Sequence, residues 1–200
     1  VNGIMTTDPR VVPGARTLSC VTYLEAMEMS YFGAKVLHPR TIEPAVKKGI
    51  PVRVLNTFQP DHPGTVVLMK DEAGNGNLIK AVTMIKNIAL INISGAALSG
   101  TPGTAGHIFS ALGKDDINVI MISQASSEFN VSLAIDGAQA ERAIAALQKE
   151  FSDDLAHNVT CNNNVCVIAV VGERMAGSPG VAGRLFTALG SNNINIRMIS

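Results

Sequence analysis

The 200-residue chain contains one pattern of apolar and polar positions twice. Residues 95–123 and 172–200 align at an offset of 77, with 15 identities in 29 positions. An apolar run precedes each copy, and each copy contains a loop rich in glycine and proline. The repetition predicts that one small structural unit occurs twice along the chain.

The order of elements in this unit follows from the spacing of its apolar residues. Apolar runs at 88–93 and 165–171 predict the first strand of each copy. In the first copy, spacings of three and four residues from Ala105 predict a helix that ends at Gly113, since glycine is common at a helix end. Two further strands and a second amphipathic helix are predicted at 117–122, 129–135 and 139–151. A final strand completes the order β-α-β-β-α-β, so we predict an α+β, ferredoxin-like fold for the repeats.

The residues before the repeats follow another pattern. Helical spacing predicts helices over 22–32 and 41–48, and a β-branched run predicts a strand over 51–55. We therefore predict an α/β segment before the repeats and a polar, glycine-containing linker between them. The second copy ends at Ser200, before its third strand and second helix, so we expect a piece of a longer chain. The predicted divisions are an α/β segment at 1–69, a linker at 70–78, a first module at 79–158 and a truncated second module at 159–200.

Composition removes several classes of protein. Sixteen basic and sixteen acidic residues balance, and two Tyr with no Trp offer few stacking surfaces, so we expect no nucleic-acid partner. Charged residues make up only 16%, which favours self-association. Three cysteines, Cys20, Cys161 and Cys166, cannot close a disulfide framework, and no second pair completes a metal site. No apolar stretch is long enough to span a membrane, and we expect a cytoplasmic protein without a metal centre.

Two segments carry candidate chemistry. Residues 3–10 place two hydroxyls, a carboxylate and a guanidinium close together, which suits phosphate or ribose, although an ordinary turn is the alternative. Residues 33–40 place a lysine after a glycine at a helix end, where the alternative is a solvated helix terminus. Spacing alone leaves both alternatives open.

Together and in this order, the segments resemble one family. GIMTTDPRVVPGAR, then FGAKVLHPRTIEPAVKKGIPVRVLN and Pro63-Gly64-Thr65, resemble the end of the catalytic domain of aspartate kinases. The paired repeats resemble the two ACT regulatory domains that follow in that family, so the resemblance covers essentially the whole chain. It implies tandem ACT modules after a remnant of an amino acid kinase domain. It also implies that the first module is inserted in the second, whose sheet is completed by a strand over 81–86.

The resemblance implies phosphorylation of the aspartate β-carboxylate by ATP with Mg²⁺, on the route to lysine, threonine and methionine. By position it assigns Arg10 to the ATP site and Lys35 with Val36 to the adenine side. Met5 stands where many members have a tyrosine. The phosphate-binding Lys-Phe-Gly-Gly loop and the aspartate-binding residues of the family lie upstream of this chain. We therefore assign no catalytic residue here and expect these residues alone to be inactive.

The resemblance to ACT domains implies regulation by a free amino acid bound at a subunit interface, and hence a homodimer or a higher oligomer. Glycines let backbone approach a ligand, and N–H groups at a helix start can hold its carboxylate, although a plain tight turn is the alternative. Ile120 stands where lysine-sensitive members often carry a carboxylate, so threonine is favoured and lysine is second. The alternatives to an enzyme's regulatory region are a stand-alone amino-acid-binding subunit and a dimerisation module. The predicted effector residues are Thr101, Gly103, Thr104, Ala105, Asn118, Ile122 and Gln124.

The second copy offers equivalent positions, but the equivalent of Gln124 would fall beyond Ser200. We therefore expect the second copy to serve dimer contact rather than ligand binding. Its equivalent positions are Ser178, Gly180, Val181, Ala182 and Asn195.

Overall fold

The computed structural model describes residues 1–34, 37–70, 78–95, 102–124, 130–151 and 158–200. The helices of these residues are α1 (Tyr23–Tyr31), α2 (Pro39–Lys48), α3 (Thr104–Lys114), α4 (Ala140–Glu150) and α5 (Val181–Ser191). Their strands are β1 (Cys20–Thr22), β2 (Val52–Val54), β3 (Thr65–Leu68), β4 (Ala81–Ser94), β5 (Val119–Gln124), β6 (Asn130–Asp136) and β7 (Val159–Val171). None of the helices in these ranges has the length and apolarity that a membrane crossing requires.

The chain divides into two units. The first unit contains Val1–Ile85 and Val167–Ser191, and the second contains Lys86–Cys166 and Asn192–Ser200. The domain boundaries predicted from the sequence stay a prediction.

The first unit contains a small sheet of order β1-β3-β2, in which β3 runs parallel to β1 and antiparallel to β2. Helix α1 begins with a capping box, because Thr22 and Glu25 each bond the backbone N–H of the other. Helix α2 begins after His38 with proline in its first turn and ends at Gly49, whose φ of 63° is left-handed. The core of this unit contains Ile4, Val21, Tyr23, Ala26, Met29, Ile42, Val67, Ala81 and Val171.

The four-stranded sheet has the order β5-β6-β4-β7. Strand β6 runs antiparallel to β4, from Ile88 opposite Asp136 to Ser94 opposite Asn130, and antiparallel to β5. Counted along the first repeat copy, this is strand order 2-3-1-4, which confirms the predicted ferredoxin-like pattern. Helices α3 and α4 bury one face of this sheet; the core is Ala89, Ile91, Ile93, Ile108, Leu112, Ile117, Val131, Leu133, Ile135, Ala140, Ala143 and Leu147.

Some predicted element bounds are wrong. Helix α3 was predicted to end at Gly113, but it continues to Lys114, and the left-handed residue after it is Asp116, with a φ of 52°. The strands predicted at 81–86 and 88–93 are one strand, β4, which passes through Asn87 at a φ of 57°.

Residues 192–200, although apolar in part, form neither helix nor strand. In the first copy the equivalent strand β5 is hydrogen-bonded to β6, and no strand of the described residues takes that role for 192–200. The Ser200 hydroxyl donates to the Ile122 carbonyl of β5 at 3.0 Å, but residues 192–200 form no strand ladder with β5.

Candidate functional site

Residues 5–17 form a loop closed at its base by backbone hydrogen bonds. Met5 pairs with Thr17 in an isolated antiparallel bridge, and the Thr6 N–H donates to the Arg16 carbonyl at 2.9 Å. The Thr6 hydroxyl in turn accepts from the Arg16 N–H at 3.1 Å. Two predicted nucleotide residues, Met5 and Arg10, therefore lie on one loop that is anchored at both ends.

Arg10 is paired with Asp8 at the tip of this loop. Its Nη2 lies 2.7 Å from Asp8 Oδ2 and its Nε 3.0 Å from Oδ1, while 84% of the arginine side chain is exposed. This pairing raises the pKa of Arg10, chiefly through the hydrogen bonds to Asp8. Asp8 thus holds part of the donor fork, and an incoming phosphate would share or displace that carboxylate.

Gly33 lies in the second predicted nucleotide segment, directly after α1. Its φ is 95°, and a Cβ built there would lie 2.7 Å from the Met84 carbonyl oxygen. Lys35 and Val36, assigned to the adenine side, lie outside the described residues. Met84 lies in β4, and loop 5–17 contacts this strand as well, since the Val82 N–H donates to the Thr6 carbonyl at 2.9 Å. Both predicted nucleotide segments therefore contact the backbone of residues 81–85.

The predicted effector residues of the first copy begin at the N-terminus of α3. Gly103, with a φ of 90°, is the N-cap residue and supplies no side-chain cap. Thr104 and Ala105 follow in the first turn, and the first α-helical bond runs from the His107 N–H to the Gly103 carbonyl at 3.1 Å. Thr101 lies outside the described residues. Helix α3 thus begins without a side-chain cap from Gly103.

The remaining effector residues lie on or beside β5. Ile122 is opposite Leu133 and Gln124 is opposite Val131. Since directly opposed residues share a face, and Leu133 and Val131 belong to the core beneath the helices, Ile122 and Gln124 lie on the helix-covered face of the sheet. Both are exposed because β5 is the edge strand, and Asn118 is exposed just before it.

Glu25 was not among the residues predicted from the sequence. Its side chain is 2% exposed, and its Oε2 accepts from the Thr22 N–H at 2.9 Å. Its Oε1 accepts from the Glu173 N–H at 3.1 Å, although these residues are 148 positions apart. The Thr-x-x-Glu spacing could have indicated the cap, but no local signal indicates the second bond.

A group of three charged or titratable side chains, which was not predicted from the sequence either, joins α3 to α4. His107 Nδ1 lies 3.0 Å from Glu150 Oε1, and Lys114 Nζ lies 3.7 Å from Oε2. The hydrogen bond with His107 lowers the pKa of Glu150 most, and the charge of Lys114 lowers it further. Elsewhere, burial raises the pKa of the Cys161 thiol. No cluster of three or more His, Cys, Asp or Glu suited to a metal ion occurs in the part of the chain that the structure describes.

A cavity of about 210 Å³ lies within the first unit. Leu24, Glu28 and Phe32 of α1 line one side, and residues 169–173 line the other. Its surface is mainly apolar, and Glu25 contributes to the lining.

Comparison with known proteins shows which families the chain matches. Residues 1–56 match the amino acid kinase family, and residues 91–151 and 168–200 match the ACT domain. The bifunctional aspartokinase/homoserine dehydrogenase 1 of Zea mays is 44% identical over the whole chain, which spans 22% of that relative. The chain belongs to the aspartokinase family.

Solved aspartokinase structures extend the similarity to the fold. The aspartate kinase of Clostridium acetobutylicum is 33% identical with a TM-score of 0.90, over all of this chain and 46% of that one. E. coli aspartokinase III, in complex with aspartate and ADP, is 31% identical with a TM-score of 0.77, over all of this chain and 44% of that one. The same enzyme was also solved with lysine and aspartate. This aspartokinase segment therefore spans less than half of each relative, and the amino acid kinase and ACT assignments are confirmed.

Proposed function

We propose that the protein carrying this chain is an aspartate kinase, which transfers phosphate from ATP to the β-carboxylate of L-aspartate on the route to lysine, threonine and methionine. The observation that carries this proposal is the meeting of loop 5–17 and Gly33 at residues 81–85 of one unit. A pure amino-acid sensor has no need of two nucleotide segments held together. Phosphoryl transfer depends on positioning and on charge neutralisation, and both need fixed segments.

Within this proposal the chain supplies only part of the nucleotide site. Arg10 would contact phosphate oxygens and Met5 would contribute backbone beside the nucleotide, while Lys35 and Val36 would lie on the adenine side. We assign no catalytic residue to these 200 positions, and we propose that the isolated chain does not turn over. Asp8 is already paired with Arg10, so the described residues do not fit a magnesium centre, and Mg²⁺ would arrive with ATP.

The first repeat copy is proposed to bind an amino acid that inhibits the enzyme. The ligand carboxylate would accept from backbone N–H groups at Thr104 and Ala105, where α3 lacks a side-chain cap. A charge there is stabilised by about 0.3–1 kcal/mol at an exposed helix terminus. Thr101, Asn118 and Gln124 would supply the other polar contacts, with Gly103 allowing close approach.

Threonine is our first choice of ligand and lysine the second. A lysine ε-ammonium requires a carboxylate, whereas β5 offers Ile120 and the 46%-exposed Ile122 beside Gln124. An apolar contact and an amide suit the methyl and hydroxyl groups of threonine better than a cation. The ligand would favour one arrangement of the modules only by its difference in affinity for the two arrangements.

Calorimetric titration of the complete protein with threonine, lysine and methionine tests the effector. Threonine should bind most tightly and inhibit phosphoryl transfer, and Gln124→Ala should weaken it. No heat with any of the three would refute the effector proposal while leaving the kinase proposal standing. A kinase assay of the same protein tests the latter separately.

Self-association through the ACT modules is proposed as well. Strand β5 is an edge strand with an exposed apolar residue, Ile122, and edges of this kind commonly pair with another chain. The second copy, with Ser178, Gly180, Val181, Ala182 and Asn195, would serve this contact rather than ligand binding. Light scattering on the complete protein should give the mass of a dimer or of a multiple of it, and a monomer mass at all concentrations would contradict this.

A further inference from the structure

Residues 81–85 touch both nucleotide segments of the chain. The Val82 N–H donates to the Thr6 carbonyl at 2.9 Å, so the base of loop 5–17 is bonded to this stretch of backbone. Loop 5–17 also has its own closing bonds at Met5 and Arg16, so it moves with its base. A displacement of Val82 would therefore be passed to the loop that carries Arg10.

Gly33 meets the same stretch two residues further on. A Cβ at Gly33 would lie 2.7 Å from the Met84 carbonyl oxygen and 3.4 Å from its carbon, in a space that only a hydrogen atom can fill. The left-handed φ of 95° further favours glycine. Because the obstacle is backbone rather than the end of a flexible side chain, a larger residue must push the strand or the segment after α1.

Two further hydrogen bonds restrain this stretch. The Lys80 N–H donates to the Val171 carbonyl at 2.8 Å, and the Glu173 N–H donates to the buried carboxylate of Glu25 in α1. Residues 167–191 of the second repeat copy thus belong to the same unit as the nucleotide segments. The strand cannot yield to a clash at Met84 without disturbing these partners.

We propose that Gly33 is a positioning residue for the nucleotide. Through its contact with the Met84 carbonyl it fixes the distance between the segment after α1 and the strand, and the strand fixes loop 5–17 through Val82. This inference rests on the proposed function, since it takes both segments to bind ATP. It extends that proposal by making residues 81–85 the common support of the two segments.

The test is Gly33→Ala in the complete protein, with Gly49→Ala as the matched control. Both glycines follow a helix end with positive φ, at 95° and 63°, but a Cβ at Gly49 would meet nothing within 4 Å. The 2.7 Å contact is too short for a Cβ, so either the segment after α1 or the strand must shift to relieve it. We expect Gly33→Ala to raise the KM and the dissociation constant for ATP about tenfold while kcat and the KM for aspartate change less than about twofold. Gly49→Ala should change none of these.

The outcomes separate failure of the proposed function from failure of the positioning inference. If the wild-type protein binds no ATP, the proposed function fails. If it binds ATP and Gly33→Ala binds equally well, or loses kcat and aspartate affinity as strongly as ATP affinity, the positioning inference fails.

Hydrogen exchange decides the case if Gly33→Ala does not fold. In the wild-type protein, ATP should slow exchange of the Val82 amide, because nucleotide on loop 5–17 would hold its acceptor Thr6 in place. Unchanged exchange over residues 81–85 with saturating ATP would overturn the inference.

Discussion

Glu25→Gln probes the bond that sequence reasoning could not find. Glu25 is 2% exposed, and its carboxylate accepts from two backbone N–H groups, Thr22 at 2.9 Å and Glu173 at 3.1 Å. Glutamine has nearly the same shape but only one oxygen. Its amide nitrogen must therefore face one of the two N–H donors, which then loses its acceptor in the protein.

The magnitude follows from the bond that is lost. A hydrogen bond to a charged group contributes about 1.5–3 kcal/mol, and the remaining bond to Gln is a weaker, neutral one. We expect the free energy of unfolding of the first unit to fall by about 2–3 kcal/mol. Glu28→Gln is the control, because Glu28 lies one turn later on α1 and is exposed, so its replacement should cost less than about 0.5 kcal/mol.

Tyrosine fluorescence during urea unfolding measures this effect in the first unit alone. The chain has no Trp, and both of its tyrosines, Tyr23 and Tyr31, lie in α1. A shift in the urea midpoint at unchanged slope gives the change in stability. If Glu25→Gln loses no more stability than Glu28→Gln, the two hydrogen bonds do not hold the unit together and our reasoning is refuted.

Three other changes test the packing. Leu147→Ala, at a fully buried position of the second unit, should lower its stability by about 3 kcal/mol by circular dichroism, and a loss below about 1 kcal/mol would contradict the described core. Thr83 has a buried hydroxyl without a hydrogen-bond partner among the described residues, so Thr83→Val should stabilise the first unit by about 1 kcal/mol; a loss would mean that the hydroxyl is bonded. His107 and Lys114 lower the pKa of Glu150, so their stabilisation is complete above the ordinary carboxyl pKa and is lost as the pH falls through the folded-state pKa. The difference in stability between wild type and Glu150→Gln should therefore disappear in acid; a difference independent of pH would exclude the ion pairs as its source.

The repeat and its element order could be predicted because they are local. Apolar spacing indicated α3, α4 and the strands of the first copy, and the Thr22-x-x-Glu25 spacing carries the signal of a helix cap. The end of α3 could not be placed from Gly113, since Asp116 adopts the left-handed conformation instead. Propensities differ by less than about 1 kcal/mol per residue, and the surroundings of the helix end outweigh them.

Some residues of the candidate site could likewise be predicted from local sequence, whereas the role of others depends on distant contacts. Arg10 and Met5 could be named from a motif, and the structure adds that Asp8 holds the guanidinium and that the loop closes at Thr17. From the sequence, Gly33 was only the first residue of a predicted segment, because its role depends on the Met84 carbonyl, 51 positions away in the chain.

The sequence by itself determined the elements of the first repeat copy and their order, because the apolar spacing of each segment matches the face that the segment buries. It also determined the family, through motifs that stand together in a fixed order. Only the tertiary structure decided that Met84 and Val82 meet the nucleotide segments. Backbone N–H and carbonyl groups make those contacts, and every residue type except proline carries both, so the side-chain sequence does not indicate where they pair.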